Sequence, residues 1–244
     1  MRKELLLAIL LIALSPLLAD AQCVAESAST RPHLVELYSS EGCSSCPPAE
    51  QWLRTLHDGA DVVALEFHVD YWDGLGWRDR FASEHYTARQ RSIAARDGGT
   101  AVYTPQVVLD GRSWAGWYRG GRLTPPANGA LAMKLEAQTG AKLHVRIDTQ
   151  VISGNDATAY RNYIALVEDG LASQVRSGEN RGVTLRHDHV VRAFAGPLPL
   201  AQAQTDLTVP SDVDPMHASL IAFAQNPQDG AIAQVATLPL AQCR

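Results

Sequence analysis

His33-Leu34-Val35-Glu36-Leu37-Tyr38, followed by Ser39-Ser40-Glu41-Gly42 and then Cys43-Ser44-Ser45-Cys46-Pro47-Pro48, is the stretch from which the rest of the chain is read. The first six residues form a short strand pattern, and the Ser/Gly-rich segment after them is turn material. A helix is expected to begin at the cysteine pair. Pro47 and Pro48 fit only a first helical turn, where a missing N–H leaves no intrahelical bond unmade. Ala49, Trp52, Leu53 and Leu56 then follow at i, i+3, i+4 and i+7 and make one apolar face.

Reading outward, Asp61-Val62-Val63-Ala64-Leu65-Glu66-Phe67-His68-Val69 is a mostly apolar run of the kind buried in a parallel sheet, so the pieces form a βαβ unit. Asp79 to Arg96 is rich in helix formers, with Ala82, Tyr86 and Ile93 toward one face, and Asp97-Gly98-Gly99 stops it. Tyr103 to Leu109 reads as a strand that turns at Asp110-Gly111, a strong hairpin signal, and returns through Arg112 to Trp117. A helix is expected from Asn128 to Gln138. The predicted order from residue 33 to 138 is β-α-β-α-β-β-α, an α/β unit. After Gly140 the texture changes to short strands at Lys142–Ile147, Arg161–Glu168, Val190–Phe194, Ser219–Ala224 and Ala231–Ala236, a spacing that suggests a β-sandwich-like C-terminal domain.

The first residues combine Arg2 and Lys3, an apolar run from Leu5 to Leu14, and Ala19-Asp20-Ala21. This is the pattern of a secretory signal peptide cleaved after Ala21. The run is about ten residues, whereas a bilayer span takes roughly twenty, so no stable span is expected after cleavage. The expected division is therefore 1–21 signal peptide, 22–139 α/β domain and 140–244 β-rich domain, in a periplasmic or secreted protein. A formal charge of −5 and an isoelectric point near 5.9, with no Lys/Arg cluster, exclude a nucleic-acid partner. Cys23 and Cys243 lie at the two ends of the mature chain. Pairing them would close a loop of about 220 residues, a staple of roughly 5 kcal/mol on loop entropy alone; a lipid-modified Cys23 and free thiols are the alternatives.

A C-x-x-C at a strand-to-helix junction sets its first sulfur where unpaired N–H groups favour a thiolate, while the second stands one turn on to resolve a mixed disulfide. Cys43 is thus the expected nucleophile and Cys46 the resolving thiol, with half of a zinc site or an inert disulfide as competing readings. There is no second C-x-x-C to complete a zinc site. No cofactor is implied beyond the thiols, and the expected partner is a thiol- or disulfide-bearing protein.

The strand, Gly42-Cys43-Ser44-Ser45-Cys46-Pro47, and the later Thr104-Pro105 ahead of a hairpin resemble the thioredoxin fold. That resemblance implies a thioredoxin-like domain in which Pro105 is cis beside the cysteines and the Thr104 backbone docks extended substrates. More narrowly, Glu36 through Glu50, His68-Val69-Asp70-Tyr71-Trp72-Asp73, Tyr103-Thr104-Pro105-Gln106, Ser177-Gly178-Glu179-Asn180 and Leu185-Arg186-His187 are similar to the uncharacterised secreted domain-of-unknown-function family 1223, over nearly the whole mature chain. Gly42 and Ser44-Ser45 stand where thioredoxin itself has Trp before the first cysteine and Gly-Pro between the two. The intervening pair tunes the potential, and here it leaves the direction of electron flow open.

Four further features are candidates. Glu36, seven residues before Cys43, is a possible proton acceptor for the resolving thiol, or simply a strand-face acid. His68, at the end of the second strand, could join Cys43 and Cys46 in a Cys₂His copper site, an arrangement that resembles copper-delivery thioredoxin-fold proteins. Tyr71-Trp72-Asp73-Gly74-Leu75-Gly76-Trp77 is an aromatic loop in which Trp72 could wall a bound substrate. His187 and His189 are two apart on a possible strand and could chelate a metal or form a solvated strand edge. Together these readings describe an exported thiol–disulfide oxidoreductase acting through Cys43 and Cys46.

Overall fold

The computed structural model describes residues 22–56, 61–140, 142–153 and 157–243; the expected signal segment 1–21 lies outside the described residues. The first strands are β1 (Gln22–Glu26), β2 (Thr30–Arg31) and β3 (His33–Ser39), followed by helix α1 (Pro47–Leu53), β4 (Val62–His68) and helix α2 (Glu84–Arg96). Then come β5 (Gln106–Leu109), β6 (Arg112–Ser113), β7 (Ala127–Asn128), β8 (Leu131–Thr139), β9 (Leu143–Val151) and β10 (Arg161–Glu168). The chain closes with β11 (Leu171–Gln174), β12 (Thr184–His187), β13 (Val190–Leu198), β14 (Ala203–Leu207), β15 (Ala218–Gln225) and β16 (Ile232–Pro239).

Eight strands form one mixed sheet in the order β16-β15-β10-β13-β4-β3-β5-β6. β3 and β4 pair in parallel from His33 opposite Val62 to Ser39 opposite His68, while β5 runs antiparallel to β3 with Tyr38 opposite Gln106. The β5–β6 turn has Asp110 at φ 50° and Gly111 at φ 86°, the two left-handed residues that a tight primed hairpin turn demands. Leu34, Tyr38, Phe67, Tyr86, Ile93, Ile221 and Phe223 pack on the α2 side of this sheet. On the opposite side Val35, Leu37, Ala64 and Val107 meet Ala49 and Leu53 of α1. A four-stranded sheet, β1-β8-β9-β14, supplies Leu131, Met133, Leu135 and Ile147 to a further core shared with Ile164, Leu220 and Leu238.

This overturns the expected fold class. With two α-helices and sixteen strands among the described residues, the chain is mostly β on a large mixed sheet, and a β-α-β-α-β-β-α thioredoxin-like domain followed by a C-terminal β-sandwich-like domain is not what forms. Two differences account for it. The segment expected as a helix over Asn128–Gln138 is strand β8, whose buried Leu131, Met133, Leu135 and Ala137 alternate with more exposed neighbours. A period of two buries that set only in a strand, and pairing on both sides by β1 and β9 outweighs the helical preference of Ala, Met, Lys and Glu. The later strands β10, β13, β15 and β16, moreover, complete the sheet that β3 and β4 begin. No helix among the described residues is long and apolar enough to cross a membrane.

The two parts of the sheet are pinned by a buried ion pair. Arg89 of α2 donates from Nε to Glu36 Oε2 at 2.7 Å, and from Nη2 to both Glu36 Oε1 at 2.9 Å and Gln225 Oε1 of β15 at 3.1 Å. Its guanidinium lies 5.3–5.8 Å from the ring centres of Phe67, Tyr163, Phe194 and Phe223. Removing one partner of such a pair strands the other charge out of water, so Arg89→Leu is expected to cost about 3–5 kcal/mol in urea unfolding; an unchanged midpoint would refute the pinning role. A disulfide joins Cys23 to Cys243 with Cα atoms 4.7 Å apart. Replacing both with Ser is expected to lower the unfolding free energy by about 2–5 kcal/mol, read as an earlier urea midpoint in a still-folded protein.

Candidate active site around Cys43 and Cys46

β3 ends at Ser39, and the chain turns through Ser40, Glu41 and Gly42 before the cysteines. Cys43 and Cys46 are joined by a disulfide with Cα atoms 5.5 Å apart, and Cys46 is the residue that precedes the first turn of α1. Both cysteines are fully buried, whereas Ser44 and Ser45 between them are exposed. Ser45 Oγ stands 3.3 Å from Cys43 Sγ.

The loop between β11 and β12 covers this turn. Glu179 accepts from Ser44 N at 3.0 Å and from Ser44 Oγ at 2.7 Å, and Asn180 donates from Nδ2 to the carbonyls of Glu41 and Cys43 at 2.9 and 3.0 Å. Ser177 ties the same loop to the Gly76 carbonyl. The cysteine turn is therefore clasped from a segment about 135 residues away in sequence.

The aromatic loop meets the turn from the other direction. A Cβ added to Gly42 would stand 3.2 Å from Cβ of Trp72, so Trp72 packs directly on the residue before Cys43. Its indole donates to Thr104 Oγ1 at 2.9 Å, and the Thr104-Pro105 peptide is cis. Gln90 of α2 holds the approach to that proline by donating to the Tyr103 carbonyl at 2.8 Å and to Gln106 Oε1 at 2.9 Å. Since Gln106 pairs with Tyr38, Thr104-Pro105 sits beside the end of β3. The structure thus brings Cys43, Cys46, Trp72, Thr104 and Pro105 into one neighbourhood.

Glu36 does not join it. It projects to the α2 side, bound to Arg89 and accepting from Tyr38 OH at 2.9 Å. The buried acids on the cysteine side are others: Glu41, Glu50 of α1, Glu66 of β4, and Asp79. His68 turns Nδ1 to Asp79 Oδ2 at 2.6 Å and Nε2 to Glu66 Oε1 at 3.0 Å, so both of its nitrogens face carboxylates. His187 Nδ1 lies 3.3 Å from the same Glu66 oxygen and 3.7 Å from Glu50 Oε2, and its Nε2 lies 3.6 Å from Glu41 Oε1. His189 turns away at φ 62° and pairs with Asp169. Trp77 donates to Glu41 Oε2 at 2.6 Å, and Ser39 to Glu50 Oε1 at 2.5 Å.

Burial and mutual charge set these groups far from their ordinary values. Burial opposes a charge on His187, yet the Glu41 and Glu66 carboxylates outweigh it and raise its pKa to about 9. Burial likewise disfavours the charged His68, but Asp79 and Glu66 hold it well above the usual imidazole value. Burial raises the Glu66 carboxyl, but hydrogen bonds and charge from His187 and His68 pull it down to about 2. Burial and the charge of Glu66 push Glu50 up to about 7, against His187, His68 and Ser39. Sequence reasoning missed Glu50, Glu66 and Asp79. The signal present was Glu66-Phe67-His68, two polar residues on one side of an otherwise apolar strand.

Residues 34–225 match the family described as Protein of unknown function (DUF1223). The chain belongs to this family. No curated protein matches it. Among solved structures, the crystal structure of protein AGR_C_4864 from Agrobacterium tumefaciens is similar at 24% identity and a TM-score of 0.59, covering 87% of this chain and 96% of that one. HBP35 of Porphyromonas gingivalis is similar at 11% identity and a TM-score of 0.63, covering 89% and 78% respectively. At these identities the likeness is one of fold.

Because Glu179 and Asn180 clasp a buried disulfide, loosening the clasp should expose it. Glu179→Ala is expected to speed reduction of Cys43–Cys46 by a small dithiol several-fold, measured by quenched alkylation and mass; an unchanged rate would show that the clasp does not limit access.

Proposed function

We propose that this protein is a thiol–disulfide oxidoreductase of an oxidising compartment, acting through Cys43 and Cys46 on a thiol- or disulfide-bearing protein. The observation that carries the reading is the closed disulfide in a short strand-to-helix turn with Trp72 and the cis Thr104-Pro105 peptide gathered beside it. A disulfide serving stability alone needs no such surroundings. The Thr104 backbone and the Trp72 ring offer a partner chain a polar edge and an apolar wall beside the cysteine turn.

In the exchange, the Cys43 thiolate of the reduced protein attacks one sulfur of the partner's disulfide. A mixed disulfide forms and one partner thiolate leaves. The Cys46 thiolate then attacks Cys43 Sγ, the second partner thiolate leaves, and the Cys43–Cys46 bond closes. Two electrons pass to the partner, and its two thiolates take up the protons that the cysteines lost. Run backward, the same steps oxidise a dithiol. Either direction requires the buried Cys43 to become accessible in a turn that Glu179 and Asn180 hold through Ser44 and the Cys43 carbonyl.

The roles of the two sulfurs are separable. Cys46→Ser is expected to accumulate a mixed disulfide with a model disulfide substrate, while Cys43→Ser is expected to lose turnover altogether. A redox titration should place the pair between about −270 and −120 mV, the span of catalytic dithiols. A value below about −300 mV, that of a structural disulfide, or equal turnover by Cys43→Ser and the wild type, would overturn the function.

A further inference from the structure

We propose that a divalent transition-metal ion binds between β4 and β12, held by Glu66, His68 and His187. The ligand atoms of Glu66, His68 and His187 all lie within 4.8 Å of one another, and all three residues are fully buried. With metal bonds of about 2.0–2.2 Å, neighbouring ligand atoms around one tetrahedral ion stand about 3.3–3.6 Å apart. His68 Nε2 and His187 Nδ1 stand 3.0 and 3.3 Å from Glu66 Oε1. Only small side-chain movements separate this arrangement from a coordinated one.

A second observation points into the same space. Glu66 Oε2, Glu41 Oε1 and His187 Nε2 are buried with no hydrogen-bond partner among the described residues. Buried polar atoms are rarely left so, because each costs about 1–3 kcal/mol unpaired. Glu41 Oε1 and His187 Nε2 stand 3.6 Å from each other on the far side of the imidazole, but Glu66 Oε2 belongs to the ligating carboxylate and indicates a missing occupant beside it. Glu41, Glu50, Glu66 and Asp79 find no Arg or Lys partner among the described residues, in contrast with Glu36 on the other side of the sheet, which has Arg89.

Asp79 gives the site its outer support. It accepts from the backbone of Glu41 at 2.9 Å and of Phe81 at 2.9 Å, and its Oδ2 faces His68 Nδ1 at 2.6 Å. A carboxylate behind one imidazole nitrogen leaves the other free to bind metal and fixes the ring that carries it. Two imidazoles with carboxylates suit Zn²⁺ and its first-row neighbours better than Mg²⁺ or Ca²⁺, which prefer all-oxygen shells. The ligands come from β4 and β12, so the ion would tie the hairpin that clasps the disulfide to the sheet beneath it. As every ligand is enclosed, the ion enters as the chain folds.

The test uses the full protein carrying Cys43→Ser and Cys46→Ser, which removes thiolate ligands and keeps the result independent of the redox proposal. It is refolded with Zn²⁺ or Co²⁺ and freed of loose metal by gel filtration. About one ion per chain, visible Co²⁺ d–d bands without a sulfur charge-transfer band, and a melting temperature several degrees above that of the EDTA-refolded protein are expected. Asp79→Asn, which keeps the ligands, should weaken Zn²⁺ binding about 10–100-fold in chelator competition, and His187→Gln should abolish retention. Absence of retained metal together with identical melting in Zn²⁺ and EDTA would overturn the site and leave a buried water as its occupant. Metal retained undiminished in both His187→Gln and Asp79→Asn would overturn the assignment equally.

Discussion

Four carboxylates and two imidazoles are shut away from water behind the cysteine turn, and they must satisfy one another or something placed among them. That constraint organises this end of the molecule. Glu66 and His68 share one side of β4 because residues two apart on a strand do, and the parallel register that sets Ser39 opposite His68 brings the turn carrying Glu41 and Cys43 to the same place. His187 arrives from β12, and Glu50 arrives one turn after Cys46. Each of these elements is held in position partly by the polar atoms it lends to the cluster.

The two sides of the sheet solve the same problem differently. On the α2 side the fully buried acid Glu36 has a guanidinium two hydrogen bonds deep in aromatic surroundings, a closed and self-sufficient pair. On the α1 side the acids outnumber the imidazoles, and three polar atoms lack partners. A buried pair of the first kind holds strands together. An imbalance of the second kind calls for an occupant, whether a bound ion, a bound water or a reacting group.

Punctuation made the cysteine turn readable: an apolar strand, a Ser/Gly turn and two prolines that fit only a helical first turn leave little freedom. The Asp110-Gly111 hairpin was readable for the same reason. Residues 128–138 were not, because their composition favours a helix while the alternation of Leu131, Met133, Leu135 and Ala137 acquires meaning only once β1 and β9 lie alongside. Nor could short apolar strands after Gly140 reveal which sheet they would join. That is decided by contacts such as Arg89 with Gln225, 136 positions apart. The polar cluster was half legible. Glu66 and His68 announce themselves on a strand, but the arrival of His187 and the loss of Glu36 to the opposite side depend on tertiary placement that no local pattern encodes.

The bond between Cys23 and Cys243 makes the chain from one to the other a covalent ring. A single peptide cleavage in an exposed loop would convert that ring into a linear chain with new ends and would release no fragment. Cutting out a piece would take two cleavages, or one cleavage and a reductant. For a protein whose proposed chemistry exchanges disulfides, the one that closes the ring has one buried end, Cys23, while Cys243 packs partly buried against the same core. Its protection is topological as well as energetic: the bond that holds the ends together rests against the core that those ends help to complete.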